Sequence, residues 1–120
     1  MREKSDRKGG GLLVIWKNEE LAMEHIVSDH PDILVSHVNI RKLDFILIIV
    51  YISTNDELRN INIYKELKKI TSKYVNKKLI FLGDFNGHIE ILGKQKLNKN
   101  GKTLLKFVED NNLNILNLEY

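Results

Sequence analysis

Residues 77–88 of this chain read KKLIFLGDFNGH. The apolar run Leu79–Leu82 predicts a short buried strand, and the glycines that follow it mark the end of that strand. If the strand geometry continues, residues two apart share a face, so Asp84 and Asn86 point the same way while Phe85 points into the core. Because ligand crevices form at strand ends in open α/β proteins, a carboxylate and an amide placed side by side there predict a functional site.

The composition is that of one globular domain. The 120 residues are 42% hydrophobic and 29% charged, so the chain has enough apolar material to bury a core. There are no cysteines, which excludes disulfides and thiolate metal sites and favours an intracellular protein, nuclear or cytoplasmic. Apolar runs such as 45–51 are too short to cross a membrane, and no signal peptide is indicated. We therefore expect no membrane partner.

The charge balance is mildly basic. A formal net charge of +3 attracts polyanions without identifying them. Lysines cluster at 65–73 and at 94–102, and each cluster taken alone is typical of a solvated helix face or a charged loop. Charge therefore permits a nucleic-acid partner but does not establish one.

The other segments alternate between strand and helix patterns, which favours a single α/β domain. The sequence Asn18-Glu19-Glu20 predicts the start of a short helix that ends before Pro31. A longer helix is predicted with Ile61, Tyr64, Leu67, Ile70, Thr71 and Tyr74 on its inner face. Further strands are predicted at 12–16, 33–40, 45–52 and 113–116, with 45–52 central, and a last helix at about 101–111 with Leu104, Leu105 and Val108 inward.

Four segments in order carry a resemblance to a known family. The segment Ile80–Asn86 resembles the Gly-Asp-Phe-Asn motif of the endonuclease/exonuclease/phosphatase superfamily, specifically its retrotransposon-type endonuclease branch. The strand Gly10–Val14, the strand Ile48–Tyr51 with its following polar residues, and the segment 100–117 are similar to other blocks of that family. The resemblance would also place Glu24–Val27 in an extended segment, so both a helix and a strand remain open there.

The resemblance implies a fold and a chemistry. The fold is α/β, a partial two-sheet sandwich flanked by helices, formed by residues 9–120 after a charged leader at 1–8. The activity is Mg²⁺-dependent hydrolysis of phosphodiester bonds in DNA. Asp84 positions or deprotonates the attacking water and binds the metal, with Asn86 as a further candidate ligand. Asn86 also orients Asp84 and the phosphate, and Tyr51 supports a phosphate oxygen.

The sequence also departs from the family pattern. The family places a metal-binding glutamate on a strand before the glycine-led strand, whereas Glu3 lies in the charged leader. The family's Ser-Asp-His triplet lies well downstream of Gly-Asp-Phe-Asn, so the triplet at 28–30 is interpreted as a coincidence. His88 is interpreted as a loop residue, with Glu90 as its neighbour and not as a partner in a ligand pair.

These departures keep several functions open. One is a fragment of a retrotransposon-derived endonuclease with weak or no activity by itself. The alternative is a catalytically inactive remnant that binds nucleic acid or another protein, including its own copies through open sheet edges. The residues alone also permit a simple interpretation in which Gly83 and Asp84 form a turn and Tyr51 is a core aromatic.

Overall fold

The computed structural model describes residues 11–17, 20–88 and 97–116. The strands are β1 (Leu21–Ile26), β2 (Ile33–Ile40), β3 (Leu43–Tyr51) and β4 (Lys78–Asp84), and the helices are α1 (Glu57–Lys73) and α2 (Lys99–Asp110). The four strands form one sheet in the order β1-β2-β3-β4. β2 is antiparallel to both β1 and β3, whereas β4 is parallel to β3 after the α1 crossover. The predicted α/β class and the central position of β3 are confirmed.

One face of the sheet packs against both helices. Ile46, Ile48 and Val50 alternate along β3 and are all buried, so they share this face. Phe81 is aligned with Ile48 across the parallel pair, and its ring meets the edge of the Phe107 ring of α2 at 5.7 Å between centroids. Phe107 also meets the ring of Tyr64 in α1 at 5.6 Å. The three aromatic rings therefore join β4, α2 and α1 into one core.

The opposite face of the sheet is apolar and partly open at β4. Ile80 and Leu82 project from it with 42% and 52% of their surface exposed. Their aligned partners on β3, Leu47 and Ile49, are half-buried. The described residues form one sheet of the two-sheet sandwich that the resemblance implies.

Helix α1 has the predicted helical spacing of buried residues, but the residues on its buried face differ in part from those predicted. Its buried residues are Asn60, Ile63, Tyr64, Leu67 and Ile70. Ile61 was expected to point inward and is instead 46% exposed, because the helix begins at Glu57 and places Ile63 against the sheet. In α2 the buried side chain is Phe107, while the predicted inward residues Leu104, Leu105 and Val108 are only half-buried.

Three local patterns were misleading. Both a helix and an extended segment were open after residues 18–20, and the extended alternative is confirmed by β1, because pairing with β2 along its whole length supplies its backbone hydrogen bonds. The strands expected at 12–16 and 113–116 have no sheet partner among the described residues. After α2 the Leu113 N–H instead donates to the carbonyl of Val108 at 2.9 Å, which ties this segment to the end of the helix.

No helix in the described ranges is long and apolar enough to cross a lipid bilayer.

Candidate active site

Two of the three predicted site residues, Asp84 and Tyr51, lie next to each other at the end of the sheet. Asp84 is the last residue of β4, Tyr51 is the last residue of β3, and the two are aligned partners in the parallel pair. Aligned residues in parallel strands project from the same face, so the carboxylate and the phenol lie on the face opposite the helices. Asp84 is exposed and Tyr51 is half-buried.

Gly83 lets β4 stay paired with β3 up to Asp84. Its φ of 146° lies in a region that other residues rarely adopt. A Cβ at this position would stand 1.9 Å from the carbonyl oxygen of Val50, which is closer than any two such atoms can approach. The glycine before the aspartate is therefore required by the backbone contact between the two strands.

Asn86 does not continue the strand, so the expectation that it shares a face with Asp84 was wrong. Its φ of 44° is left-handed, which turns the chain immediately after the strand end. Its backbone N–H donates to Oδ1 of Asp84 at 3.0 Å, and its side-chain Nδ2 donates to the carbonyl of Ile52 at 2.6 Å. Asn86 thus joins Asp84 to the chain that leaves β3. Phe85 packs against the core as predicted.

Asn98, the N-cap of α2, was missed by the sequence reasoning. Its Oδ1 accepts the backbone N–H of Gly101 at 2.7 Å and that of His88 at 2.8 Å. Its own N–H donates to the carbonyl of His88 at 3.2 Å. An asparagine three residues before the glycine of a predicted helix start is a recognisable capping pattern. The hydrogen bonds between Asn98 and His88 could not be predicted from any such pattern in the sequence.

Two more asparagines hold the chain that leaves β3. The side chain of Asn60 in α1 accepts from the N–H of Ser53 and donates to its carbonyl, both at 2.9 Å. Asn100 in α2 donates to the same carbonyl at 2.9 Å. These amides satisfy buried backbone groups of an irregular segment, as such groups require. Neither role was predicted.

A buried ion pair stands beside Tyr51. The carbonyl of Asp32 accepts the N–H of Tyr51 at 3.0 Å, and Oδ2 of Asp32 accepts from Nε of Arg59 at 2.5 Å. Asp32 is only 1% exposed. The pair links the start of β2 to the first turn of α1 at the same end of the sheet as Asp84. A pair separated by 27 residues leaves no pattern in the sequence.

The triplet at 28–30 forms a turn. Ser28 Oγ lies 2.8 Å from the carbonyl oxygen of His30 and 2.7 Å from that of Ile33, and its single O–H donates to this pair of acceptors. Nδ1 of His30 accepts the N–H of Asp32 at 3.1 Å. His88 is an exposed residue whose backbone binds Asn98. Glu3 and Glu90 lie outside the described residues.

The site offers oxygen ligands to a hard cation. Mg²⁺ is usually bound through one or two carboxylates, with waters and substrate phosphates completing the shell. An exposed carboxylate with one oxygen oriented by a backbone N–H suits that role, and Asp84 is such a group. Across the described ranges, no three His, Cys, Asp or Glu side chains form a cluster that could hold a metal. Among the described residues, the donor set therefore suits an ion that keeps most of its water ligands.

The sequence profile of the endonuclease-reverse transcriptase family matches residues 45–120, which is more than half of the chain and includes Tyr51, Asp84 and Asn86. The chain therefore belongs to this family, and its fold is of the retrotransposon-endonuclease type.

Among solved structures, the chain is similar to the endonuclease domain of TRAS1, a telomere-specific non-LTR retrotransposon. The TM-score is 0.69 at 21% sequence identity, over 85% of this chain and 46% of that one. At this identity the likeness establishes the fold, and this chain spans less than half the length of that domain. No curated protein gave a significant match.

Proposed function

We propose that this chain carries part of a Mg²⁺-dependent endonuclease site that hydrolyses phosphodiester bonds in DNA, with weak activity by itself. The observation that carries the proposal is the alignment of Tyr51 and Asp84 at one sheet end, with the Asn86 N–H on the Asp84 carboxylate. Membership of the endonuclease-reverse transcriptase family supports the same reaction class.

Each side chain has a chemical part in this reaction. As water attacks phosphorus, the P–O bond to the leaving strand breaks and the leaving oxygen takes a proton from solvent. The Asp84 carboxylate accepts the proton of the attacking water, or binds a hydrated Mg²⁺ through its oxygens. The Tyr51 phenol donates to a nonbridging phosphate oxygen as charge develops there. Asn86 orients the carboxylate through its backbone N–H, since its side chain is engaged by the Ile52 carbonyl. Bound Mg²⁺ supplies charge neutralisation at the phosphate.

We expect weak turnover because Asp84 is the one carboxylate that the proposal assigns to the metal. Within the ranges that the structure describes, no cluster of three potential metal ligands is present. A site that lacks one preorganised group typically loses about 100- to 1000-fold in rate. The same observation favours the second candidate, a module that binds nucleic acid without cleaving it.

The test is nicking of supercoiled plasmid by the folded 120-residue chain, with Mg²⁺ and with EDTA. Asp84→Asn keeps the size of the side chain and removes its charge. Asp110→Asn is the matched control, because Asp110 pairs with Lys106 on the surface of α2. We expect slow nicking that requires Mg²⁺ and is abolished only by Asp84→Asn.

Binding separates the two candidates. A folded chain that retards DNA in a gel but never nicks it would replace the endonuclease with the binding module. A chain that does neither would refute both.

A further inference from the structure

Asn98 joins the loop after Asp84 to the first turn of α2. Its side-chain Oδ1 accepts two backbone N–H groups, from His88 and from Gly101, and its own backbone N–H returns to the carbonyl of His88. We call these three hydrogen bonds the Asn98 clasp. An N-cap residue ordinarily serves only its own helix, so the bonds to His88 are an addition to that role.

Two glycines allow the loop and the helix to touch. A Cβ on Gly101 would stand 2.1 Å from the carbonyl oxygen of His88, and a Cβ on Gly87 would stand 3.1 Å from the Cα of Gly101. The backbones at residues 87–88 and 101 are therefore in direct contact. Gly101 is also fully enclosed. This contact fixes where the loop lies relative to α2.

The clasp connects to Asp84 through Asn86. The Asn86 N–H donates to the Asp84 carboxylate at 3.0 Å, and Asn86 itself has a left-handed conformation with φ of 44°. The Asn86 carbonyl oxygen lies 3.4 Å from Nδ2 of Asn98. Two residues further along the loop, the His88 N–H donates to Oδ1 of the same side chain. Both sides of the left-handed residue are therefore tied, by Ile52 on one side and by Asn98 on the other.

We propose that Asn98 is a positioning residue that holds the Asn86 N–H against the Asp84 carboxylate. The expected effect of Asn98 on the reaction rate rests on the proposed function, whereas its effect on the Asp84–Asn86 hydrogen bond does not. Asn98 acts through residues 86–88 and not on the substrate.

Three substitutions of Asn98 separate the clasp from the helix cap. Asn98→Asp keeps an oxygen that accepts both N–H groups of the clasp and gives up only the 3.4 Å contact between Nδ2 and the Asn86 carbonyl oxygen. Asn98→Ser keeps a good N-cap for Gly101, but its shorter side chain does not span to His88 as well. Asn98→Ala removes both bonds. If Asn98 serves only as a helix cap, serine should preserve both amide protection and the nicking rate. If the clasp matters, only aspartate should preserve them.

The first measurement is amide hydrogen exchange by NMR on the full chain. We expect Asn98→Ser and Asn98→Ala to lower the protection of the Asn86 and His88 amides about tenfold, the loss of one hydrogen bond. Asn98→Asp should retain the protection of the His88 amide, and Asn98→Ser should unfold at nearly the same urea concentration as the unaltered chain. Unchanged protection of the Asn86 amide in Asn98→Ala would overturn the inference.

The second measurement is single-turnover nicking with Mg²⁺. A displaced carboxylate should lower the rate constant at saturating DNA by about 100-fold while half-saturation stays unchanged. The loss should appear in Asn98→Ser and be restored in Asn98→Asp. Full activity in Asn98→Ser with His88 deprotected would also overturn the inference. If the unaltered chain does not nick, the proposed function fails and the Asn86 amide decides the inference alone.

Discussion

Tyr51 and Asp84 are aligned partners at the ends of the parallel strands β3 and β4, so a phenol and a carboxylate leave the same face of the sheet side by side. The residues lie far apart in the chain and are brought together by the α1 crossover. A parallel pair is the arrangement that places both strand ends at one edge, whereas a hairpin would have placed them at opposite edges.

Tyr51→Phe tests whether the phenol takes part in the reaction. Removing a hydrogen-bond donor to the developing charge should lower the nicking rate about 100-fold or more. Stability should change by less than about 1 kcal/mol, because the ring remains. Tyr74→Phe, at the end of α1, is the control. Equal nicking by Tyr51→Phe and the unaltered chain would show that Tyr51 is only a packing residue.

Gly83→Ala tests the contact between the ends of the two strands. The added Cβ would stand 1.9 Å from the Val50 carbonyl oxygen in a backbone with φ of 146°. We expect the free energy of unfolding to fall by about 3 kcal/mol, as overpacking against backbone requires. Gly87→Ala is the comparison, because its nearest contact is 3.1 Å. Urea unfolding measures both, and a smaller loss in Gly83→Ala than in Gly87→Ala would contradict the explanation.

Tyr64→Phe should stabilise the chain. The Tyr64 hydroxyl is buried, and no hydrogen-bond partner for it lies within the described residues. Leaving a buried donor unsatisfied costs about 1–3 kcal/mol, so its removal should raise the free energy of unfolding by about 1 kcal/mol. The ring contact with Phe107 is kept. A loss of stability in Tyr64→Phe would mean that the hydroxyl has a partner.

Alkaline pH offers a second readout of Tyr64. Burial raises the pKa of the Tyr64 hydroxyl above its ordinary value. The unfolded chain therefore releases this proton more readily than the folded chain does. The free energy of unfolding is unaffected by this group below about pH 10 and falls as pH rises from there toward the folded pKa. Tyr64→Phe should unfold less readily above pH 10 than the unaltered chain does. Equal alkaline stability of the two chains would argue against burial of the hydroxyl.

Asp44→Asn should reduce stability at neutral pH but not in strong acid. The hydrogen bond from His37 at 2.8 Å, followed by that from Lys77 at 3.0 Å, holds the pKa of Asp44 below its ordinary value of 3.8. A depressed folded pKa contributes stability above the unfolded pKa, and this contribution is lost as pH falls through the folded pKa.

The measurement for Asp44 is urea unfolding across the acid range. The unaltered chain should lose stability more steeply below pH 3.8 than Asp44→Asn does. Asp110→Asn, on the outer surface of α2, should show the acid profile of the unaltered chain. A constant difference between Asp44→Asn and the unaltered chain at every pH would mean that the charge of Asp44 is not involved.

Local patterns were most reliable where a segment's own chemistry decides its structure. The run before Gly83 forms β4, and the three- and four-residue spacing around Leu67 forms α1, because burial of one face is the main stabilising term for both. At 21–26 the acidic start favours a helix locally, whereas the strand that the resemblance left open is the structure that forms. Pairing with β2 along six residues outweighs that weak preference.

The α/β class and the strand that ends at Gly83 and Asp84 could be predicted from hydrophobic period, which is a local property. The family could be predicted from the resemblance of four ordered segments. Three features could be seen only in the folded chain: Tyr51 lies beside Asp84, Asn86 turns away from the strand, and Asn98 binds His88. Each of these features depends on backbone groups that a crossover or a loop brings together. Because almost any residue can supply a backbone N–H or C=O group, such contacts produce no pattern in the sequence.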